Sequence, residues 1–286
     1  MRTIFITGAT GTLGSKILEY HVRRGDNVIA LSRCDHKIKK FHKIYDNKVS
    51  WVLGDIRLPD SSFPKYADTV YHCAASKHVD MGEEYPEQYH AVNYLGALNM
   101  YEKVACDKFI FFSTDKAVLP VNFYGMTKAL AERHLLIKKK SQPYKINIFR
   151  WGNIIGSSGS FIHTLIDLIS SGKPVTITHP EMTRFWLKID DAVQFAVKNE
   201  HDPNADVLIH PLIKSSSVVD FAHAVAHCMG VKINPVFTGV RPGEKIHEHL
   251  RFDHDNIICS ASSDQYGFDE LLGLVGPTVS EYLAKR

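Results

Sequence analysis

Short apolar runs alternate with longer amphipathic stretches through the first half of the chain. Thr3–Thr7, 27–31, Val49–Leu53, 69–72, 109–112 and Ile146–Trp151 are too short for helices and apolar on both faces, which is the pattern of strands buried in a parallel sheet. The stretches between them carry helical periodicity. Leu13, Ile17, Leu18 and Val22 share one face, and a long helix over 86–106 has Ala91, Val92, Leu95 and Leu98 as its core stripe. Asn93 interrupts that stripe, and an inward asparagine of this kind braces neighbouring backbone. From Phe123 a further helix follows, with Ala129, Leu130, Leu135 and Leu136 supplying its core face. Strand and helix in strict alternation predict the α/β class, a Rossmann-type doubly wound parallel sheet.

The alternation first fails in the turn-rich run 152–160, GNIIGSSGS. Residues 1–155 are therefore expected to form a dinucleotide-binding domain, and 156–286 a smaller C-terminal substrate lobe. Helices are expected over 162–170 and Ile189–Lys198, and a strand over 207–210. Together these last two return the chain to the first domain near 186–212. Internal repeats and low-complexity tracts are absent from the sequence.

The 286 residues are 44% hydrophobic, enough to bury a full core, and the net charge of +3 is small. Lysines gather only in short clusters at 37–40 and 138–140, the second read as a solvated helix end, so nucleic acid is not an expected partner. The five cysteines contain no Cys-x2-Cys pair, which argues against a disulfide framework or structural zinc and for a reducing cytoplasm. His247 and His249 flank Glu248 at a spacing that points the imidazoles apart on a helix, so no metal is expected. No apolar stretch approaches the ~18 residues of a membrane span, and a soluble protein is expected.

The candidate chemistry lies at the strand ends. Gly8-Ala9-Thr10-Gly11-Thr12-Leu13-Gly14 joins the first strand to the first helix, where backbone N–H groups can approach a pyrophosphate. Gly8 permits the turn, Gly11 the close approach, and Gly14 the packing of helix on strand. The second strand ends in Ser32-Arg33 where a carboxylate would bind a ribose 2′-hydroxyl, so Arg33, with Lys37, suits a 2′-phosphate. Asp55 and Ile56 can contact an adenine ring, Ala74 and Ala75 let a cofactor lie close to the backbone, and Lys77 overlooks the crevice.

The run STDKAVLPVNFYGMTK follows the fifth strand and places Ser113-Thr114-Asp115-Lys116 at its carboxyl end, where open α/β sheets bind ligands. Tyr124 and Lys128, four apart on a helix, share a face. A tyrosine of pKa ~10 is a poor base at neutral pH, and a neighbouring ammonium, expected from Lys128, favours its phenolate. In the C-terminal half, the loop FTGVRPGEK carries an arginine, Arg241, able to clamp a diphosphate.

These segments, with AASKHVD, RWGNIIGSSGSF and PEMTRFW, occur in one order and resemble the extended short-chain dehydrogenase/reductases. More narrowly they resemble the soluble, inverting UDP-N-acetylglucosamine 4,6-dehydratases over nearly the whole chain, with the segment after Arg251 matching poorly. Membrane-bound retaining relatives typically have methionine where Tyr124 stands and carry transmembrane helices ahead of this domain, and neither is expected here. The resemblance implies NADP as cofactor, held by Gly8, Thr10, Gly11, Thr12, Leu13, Gly14, Ser32, Arg33, Lys37, Asp55, Ile56, Ala74, Ala75, Lys77, Tyr124 and Lys128. It implies Thr114, Asp115, Lys116, Tyr124 and Lys128 as catalytic groups. For a UDP-N-acetylhexosamine substrate it implies Lys77, His78, Asn153, Phe161, Arg184, Arg241 and Glu244, in a cytoplasmic homo-oligomer. The rival readings are a UDP-sugar 4-epimerase, which needs no Asp115-Lys116 pair, a retaining dehydratase, and a non-catalytic NADP-sensing protein, which has no use for Tyr124 and Lys128.

Arg33 in place of an acidic ribose ligand predicts that NADP binds more tightly than NAD. Calorimetric titration with both dinucleotides checks this, and equal or tighter NAD binding would refute it.

Overall fold

The structure is a computed structural model describing residues 1–60, 62–141, 145–202, 207–253 and 256–285. It divides into one unit of 1–150 with 193–208, and a second of 151–192 with 209–286. The expected division at 155 and return of 186–212 stand beside these bounds, and 203–206 of that return lie outside the described residues.

In the first unit, β1 (Thr3–Thr7), β2 (Asn27–Ser32), β3 (Val49–Leu53), β4 (Tyr66–His72), β5 (Ala105–Thr114) and β6 (Ile146–Trp151) enter one sheet. The strand β10 (Leu208–Ile209) completes it in the order β10-β6-β5-β4-β1-β2-β3. Pairings of β1 with β2 and β4, β2 with β3, and β4 with β5 are parallel. The order reverses between β1 and β4, the crevice where doubly wound sheets bind ligands. Register brings the strand ends level there: Thr7 lies opposite both Leu31 and His72. Phe5, Val70, Phe109, Phe111 and Ile148 form the core on the sheet, closed by Leu98, Met100, Ala131 and Leu135 from the helices.

The helical stretch predicted over 86–106 is interrupted and shorter. It consists of α4 (Pro86–Tyr89), a π-helical turn over His90–Leu95 and α5 (Gly96–Lys103), and Ala105 and Cys106 already belong to β5. A wider π turn rotates the buried face, so Val92 and Asn93 point inward while Leu95 is 43% exposed. On α6 (Phe123–Ser141) the inward face is Thr127, Lys128, Ala131, Glu132, Leu135 and Lys139. Leu130, expected in that stripe, is 45% exposed, because polar residues occupy the positions facing the sheet. Lys139, expected in a solvated cluster, is buried.

The second unit pairs β7 (Asn153–Ile154), β9 (Thr183–Leu187) and β11 (Lys214–Ser217) in the order β11-β9-β7. Its core joins α7 (Phe161–Ser170), α9 (Val218–Cys228) and α10 (Phe268–Ala284), with Trp186 stacked on Phe221 at 3.9 Å. No helix among the described residues is long and apolar enough to cross a membrane.

Candidate active site

The glycine turn after β1 is a cradle in which side chains have no room. Gly8 has φ +64°, and a Cβ there would lie 2.7 Å from the Ala74 nitrogen; a Cβ on Gly14 would lie 2.4 Å from the Gly8 carbonyl oxygen. Thr7 Oγ1 accepts from the Ala74 N–H at 3.2 Å, and Thr10 Oγ1 meets Ser32 Oγ at 2.8 Å, so the loops after β1, β2 and β4 are cross-braced. The cleft they enclose is lined by Gly8, Thr10, Gly11, Ser32, Arg33, Lys37, Asp55, Ile56, Ala74 and Ala75. Bare backbone at the first turn of α1 (Thr12–Arg24), with Arg33 just after β2 and Lys37 on the helix that follows among the lining residues, fits the phosphates of a dinucleotide.

Cys73 and Ser76, in the small-residue run after β4, also line this cleft, as do Leu31, Cys34, Gly54 and Val92, which were not singled out from the sequence as cofactor contacts. Apolar or small, they carry no chemical signature and become cleft walls through the packing of the strand ends and the π turn. Thr12, Leu13, Gly14, Lys77, Tyr124 and Lys128 do not line it. Asp55 is committed to Arg57, whose Nε lies 3.0 Å from both carboxylate oxygens, and this pairing holds the Asp55 carboxyl below its usual pKa.

A second cluster forms beyond the end of β5. Thr114 Oγ1 donates to Asp115 Oδ1 at 2.9 Å, and Lys116 Nζ donates to the same oxygen at 3.0 Å. Asp115 is fully buried and the Lys116 side chain is 16% exposed. The start of α6 packs directly on this turn, since a Cβ on Gly125 would stand 2.1 Å from the Lys116 carbonyl oxygen. Asn122 Oδ1 caps the helix by accepting from the Gly125 N–H at 2.7 Å, and Glu83 Oε1 accepts from the Phe123 N–H at 2.6 Å. Tyr124 is thereby set beside Thr114, whose hydroxyl hydrogen-bonds the phenol.

Burial pushes the Tyr124 phenol up to about 12; the Lys116 ammonium and the Thr114 hydrogen bond pull against that rise. The cation acting on the tyrosine is thus Lys116, which corrects the expectation that Lys128 tunes it. Lys128 points at the sheet, its Nζ 3.9 Å from the Phe111 ring centre, and burial lowers its ammonium to about 7. Behind Phe111 the His72 ring stacks at 6.0 Å, its pKa lowered to about 3 by burial and by the Lys128 charge.

Asn93, in the π turn, ties the cleft to this cluster. Its Oδ1 accepts from the Ser76 N–H at 2.8 Å, and its Nδ2 donates to the Ser76 carbonyl at 2.9 Å and to Thr127 Oγ1 at 3.1 Å. This is the backbone bracing expected of an inward asparagine. Lys77 and His78 follow in the same loop; partial burial lowers the Lys77 pKa, and the His78 carbonyl accepts from the Tyr89 hydroxyl at 2.6 Å.

Asn153, Phe161, Arg184, Arg241 and Glu244 all lie in the second unit. Arg241 is exposed, and its N–H donates to Glu244 Oε2 at 3.2 Å. Arg184, expected to touch substrate, is turned into its own unit. Its Nη1 donates to the Thr183 and Ile246 carbonyls at 2.7 and 3.0 Å, and Nη2 to the Lys245 carbonyl at 2.9 Å and Met182 Sδ at 3.1 Å. Its Nε faces Glu248 at 3.9 Å. With its N–H groups so used, Arg184 holds the 245–248 loop in place. Among the described residues no three His, Cys, Asp or Glu side chains cluster as a metal site would require.

The sheet order, the glycine turn after β1 and the Tyr-x3-Lys helix after β5 define an extended short-chain dehydrogenase/reductase. The chain belongs to the family described as "Polysaccharide biosynthesis protein", whose profile matches residues 4–268. It is 34% identical to the capsular polysaccharide biosynthesis protein CapD of Staphylococcus aureus over 87% of this chain, but spans only 45% of that relative's length. The inverting UDP-N-acetylglucosamine 4,6-dehydratase of Campylobacter jejuni is 32% identical over 93% of this chain and 84% of the relative. A UDP-glucose 4-epimerase of Rickettsia canadensis is also 32% identical, over 93% and 82%. Among solved structures, Pen from Bacillus thuringiensis shares the fold at a TM-score of 0.85, with 24% identity and 97% of each chain covered.

The buried Lys128 gives a pH signature. Its folded pKa of about 7 lies below the unfolded ~10.4, so the stability tied to it is complete above the unfolded value and is lost as pH falls toward 7. Lys128→Met should raise the thermal midpoint at pH 7 by several degrees and flatten its rise between pH 7 and 10. Calorimetric scans check this; a lower midpoint with an unchanged slope would contradict it.

Proposed function

We propose that the chain is an inverting, C5-epimerising UDP-N-acetylglucosamine 4,6-dehydratase. The observation that carries this reading is the Asp115–Lys116 pair, at 3.0 Å, beside Thr114 and Tyr124. The C. jejuni relative supports it, being similar over 93% of this chain. The same reading makes the protein a cytoplasmic, homo-oligomeric hydro-lyase with NADP as its cofactor, Arg33 and Lys37 receiving the 2′-phosphate.

When bound, the dinucleotide supplies a hydride acceptor and later a hydride donor. Tyr124 takes the proton of the sugar C4 hydroxyl in its phenolate form, which the Lys116 charge favours against the burial that pushes the phenol up to about 12, while Thr114 holds the C4 oxygen. The C4 ketone so formed acidifies the C5 proton. One proton moved from Lys116 to Asp115 turns the ion pair into a neutral amine beside a carboxylic acid. Lys116 then removes the C5 proton, and Asp115 protonates the departing C6 hydroxyl, which leaves as water. The dinucleotide, when bound, would supply the hydride that C6 requires, and a proton drawn from solvent on the opposite face of C5 would complete a 6-deoxy-4-keto sugar of L-arabino configuration. Lys128 holds the nicotinamide ribose. Lys77, His78, Asn153, Phe161, Arg241 and Glu244 are carried into the reading as substrate contacts, with Arg184 positioning the loop before Glu248.

A UDP-sugar 4-epimerase is the second reading, favoured by the Rickettsia relative. It employs Tyr124 and Lys128 and leaves the buried Asp115–Lys116 pair without a task. Incubation with UDP-N-acetylglucosamine in heavy water separates the two. The dehydratase reading expects loss of one water, deuterium at C5 and L-arabino couplings by NMR. An intact C6 hydroxyl without C5 deuterium would establish the epimerase instead, and a D-xylo product would identify a retaining dehydratase.

A further inference from the structure

Lys128 is 2% exposed, and four residues on, one turn along the same face of α6, stands Glu132, itself 4% exposed. Glu132 does not close on the lysine. Its carboxylate is taken from the sheet side by Arg150 on β6, with Nε to Oε1 at 3.0 Å and Nη2 to Oε2 at 2.5 Å. A buried bidentate pair of this kind is held in one geometry, because breaking it would strand a charge away from water. Its carboxylate therefore presents a fixed, partly neutralised negative charge to the ammonium next to it.

We infer that the Glu132–Arg150 pair is a positioning device that sets the protonation of Lys128, Glu132 favouring the ammonium and Arg150 limiting how strongly. The inference rests on the reading in which Lys128 holds the nicotinamide ribose as a cation. Among the described residues, the charged and titratable groups that act on Lys128 are Glu132 one turn on in its own helix and His72 and Cys73 at the end of β4; Tyr124 stands one turn before it, and Arg150 on β6 holds the Glu132 carboxylate. The Asp115–Lys116 pair belongs to the turn on which α6 packs. His72 stays neutral through the physiological range and burial keeps the Cys73 thiol protonated. The face of the Phe111 ring attracts the cation without titrating. That leaves Glu132 as the leading influence raising the Lys128 pKa against burial, with its carboxylate shared by the Arg150 guanidinium.

The two partners must then act with opposite sign. Glu132→Gln keeps the shape and removes the negative charge, whereas Arg150→Met frees the carboxylate for Lys128 alone. The measurement is the affinity for the oxidised dinucleotide between pH 6 and 10 by calorimetry on the full chain, with thermal midpoints confirming that each variant is folded. Lys128→Met should abolish the alkaline loss of affinity, which assigns that limb to Lys128. Glu132→Gln should shift the limb to lower pH by about one unit, and Arg150→Met to higher pH by a similar amount. A merely structural pair would lower stability in both variants and leave the limb where it is. Shifts in the same direction, or none in folded variants, overturn the inference; should Arg150→Met not fold, the Glu132→Gln shift decides it. Because the readout is cofactor affinity, it stands whether the sugar chemistry is dehydration or epimerisation. A limb that persists in Lys128→Met would instead overturn the role given to Lys128 and the inference with it.

Discussion

The contact between Gly125 and the Lys116 carbonyl is what the site depends on. There is no room for a Cβ at that point, since one would stand 2.1 Å from the oxygen, so α6 can approach the turn after β5 only through a glycine. Every other relation in the cluster follows from that approach. Tyr124, one residue earlier, is carried to Thr114, and Lys116 becomes the cation whose charge reaches the phenol. Asn122 caps the helix start in the same position, and Glu83 ties it to α3 (Val79–Glu84). The groups that the proposed reading makes catalytic are therefore held by backbone packing, which costs little entropy at the moment of reaction.

Burial then divides the labour among like residues. The two lysines nearest the tyrosine differ in surroundings: Lys116 is paired with a buried carboxylate, while Lys128 lies against an aromatic ring with its pKa lowered to about 7. On the proposed reading one exchanges a proton with Asp115 and the other carries a charge toward the cofactor. His72, held neutral beneath Phe111, adds an aromatic layer without competing for that proton. The π turn around Asn93 serves the same economy of placement, because its extra width lets one amide reach both the loop after β4 and Thr127.

Much of the fold was legible in the sequence, because apolar runs of strand length between glycine and polar turns report a parallel sheet directly. The strands β1, β3 and β6 and the helix α8 (Ile189–Lys198) have the bounds that periodicity predicts. Periodicity misplaced Leu95 and Leu130, where a π turn and a polar inward face break the α-helical rule. The glycine turn, Arg33 and the Asp115–Lys116 pair could be picked out because their chemistry is written in residue type. Leu31 and Val92 could not, since only strand register and the π turn make them cleft walls. Nor could a one-dimensional reading tell which lysine would serve Tyr124, because both are near it in sequence and only packing separates them. Arg184 carried the right charge for a substrate contact, but its neighbours' carbonyls claim its donors.

The central claim is that Tyr124 and the Asp115–Lys116 pair perform separate steps, oxidation at C4 and removal of water across C5 and C6. Single-turnover absorbance of the reduced dinucleotide in Lys116→Ala, with product mass followed in parallel, tests it most directly. Reduced cofactor should appear, more slowly because the Lys116 charge no longer favours the Tyr124 phenolate, and persist while no water is lost, and Tyr124→Phe should form almost none. Water loss from Lys116→Ala at a rate near that of the unaltered protein would contradict the division of roles.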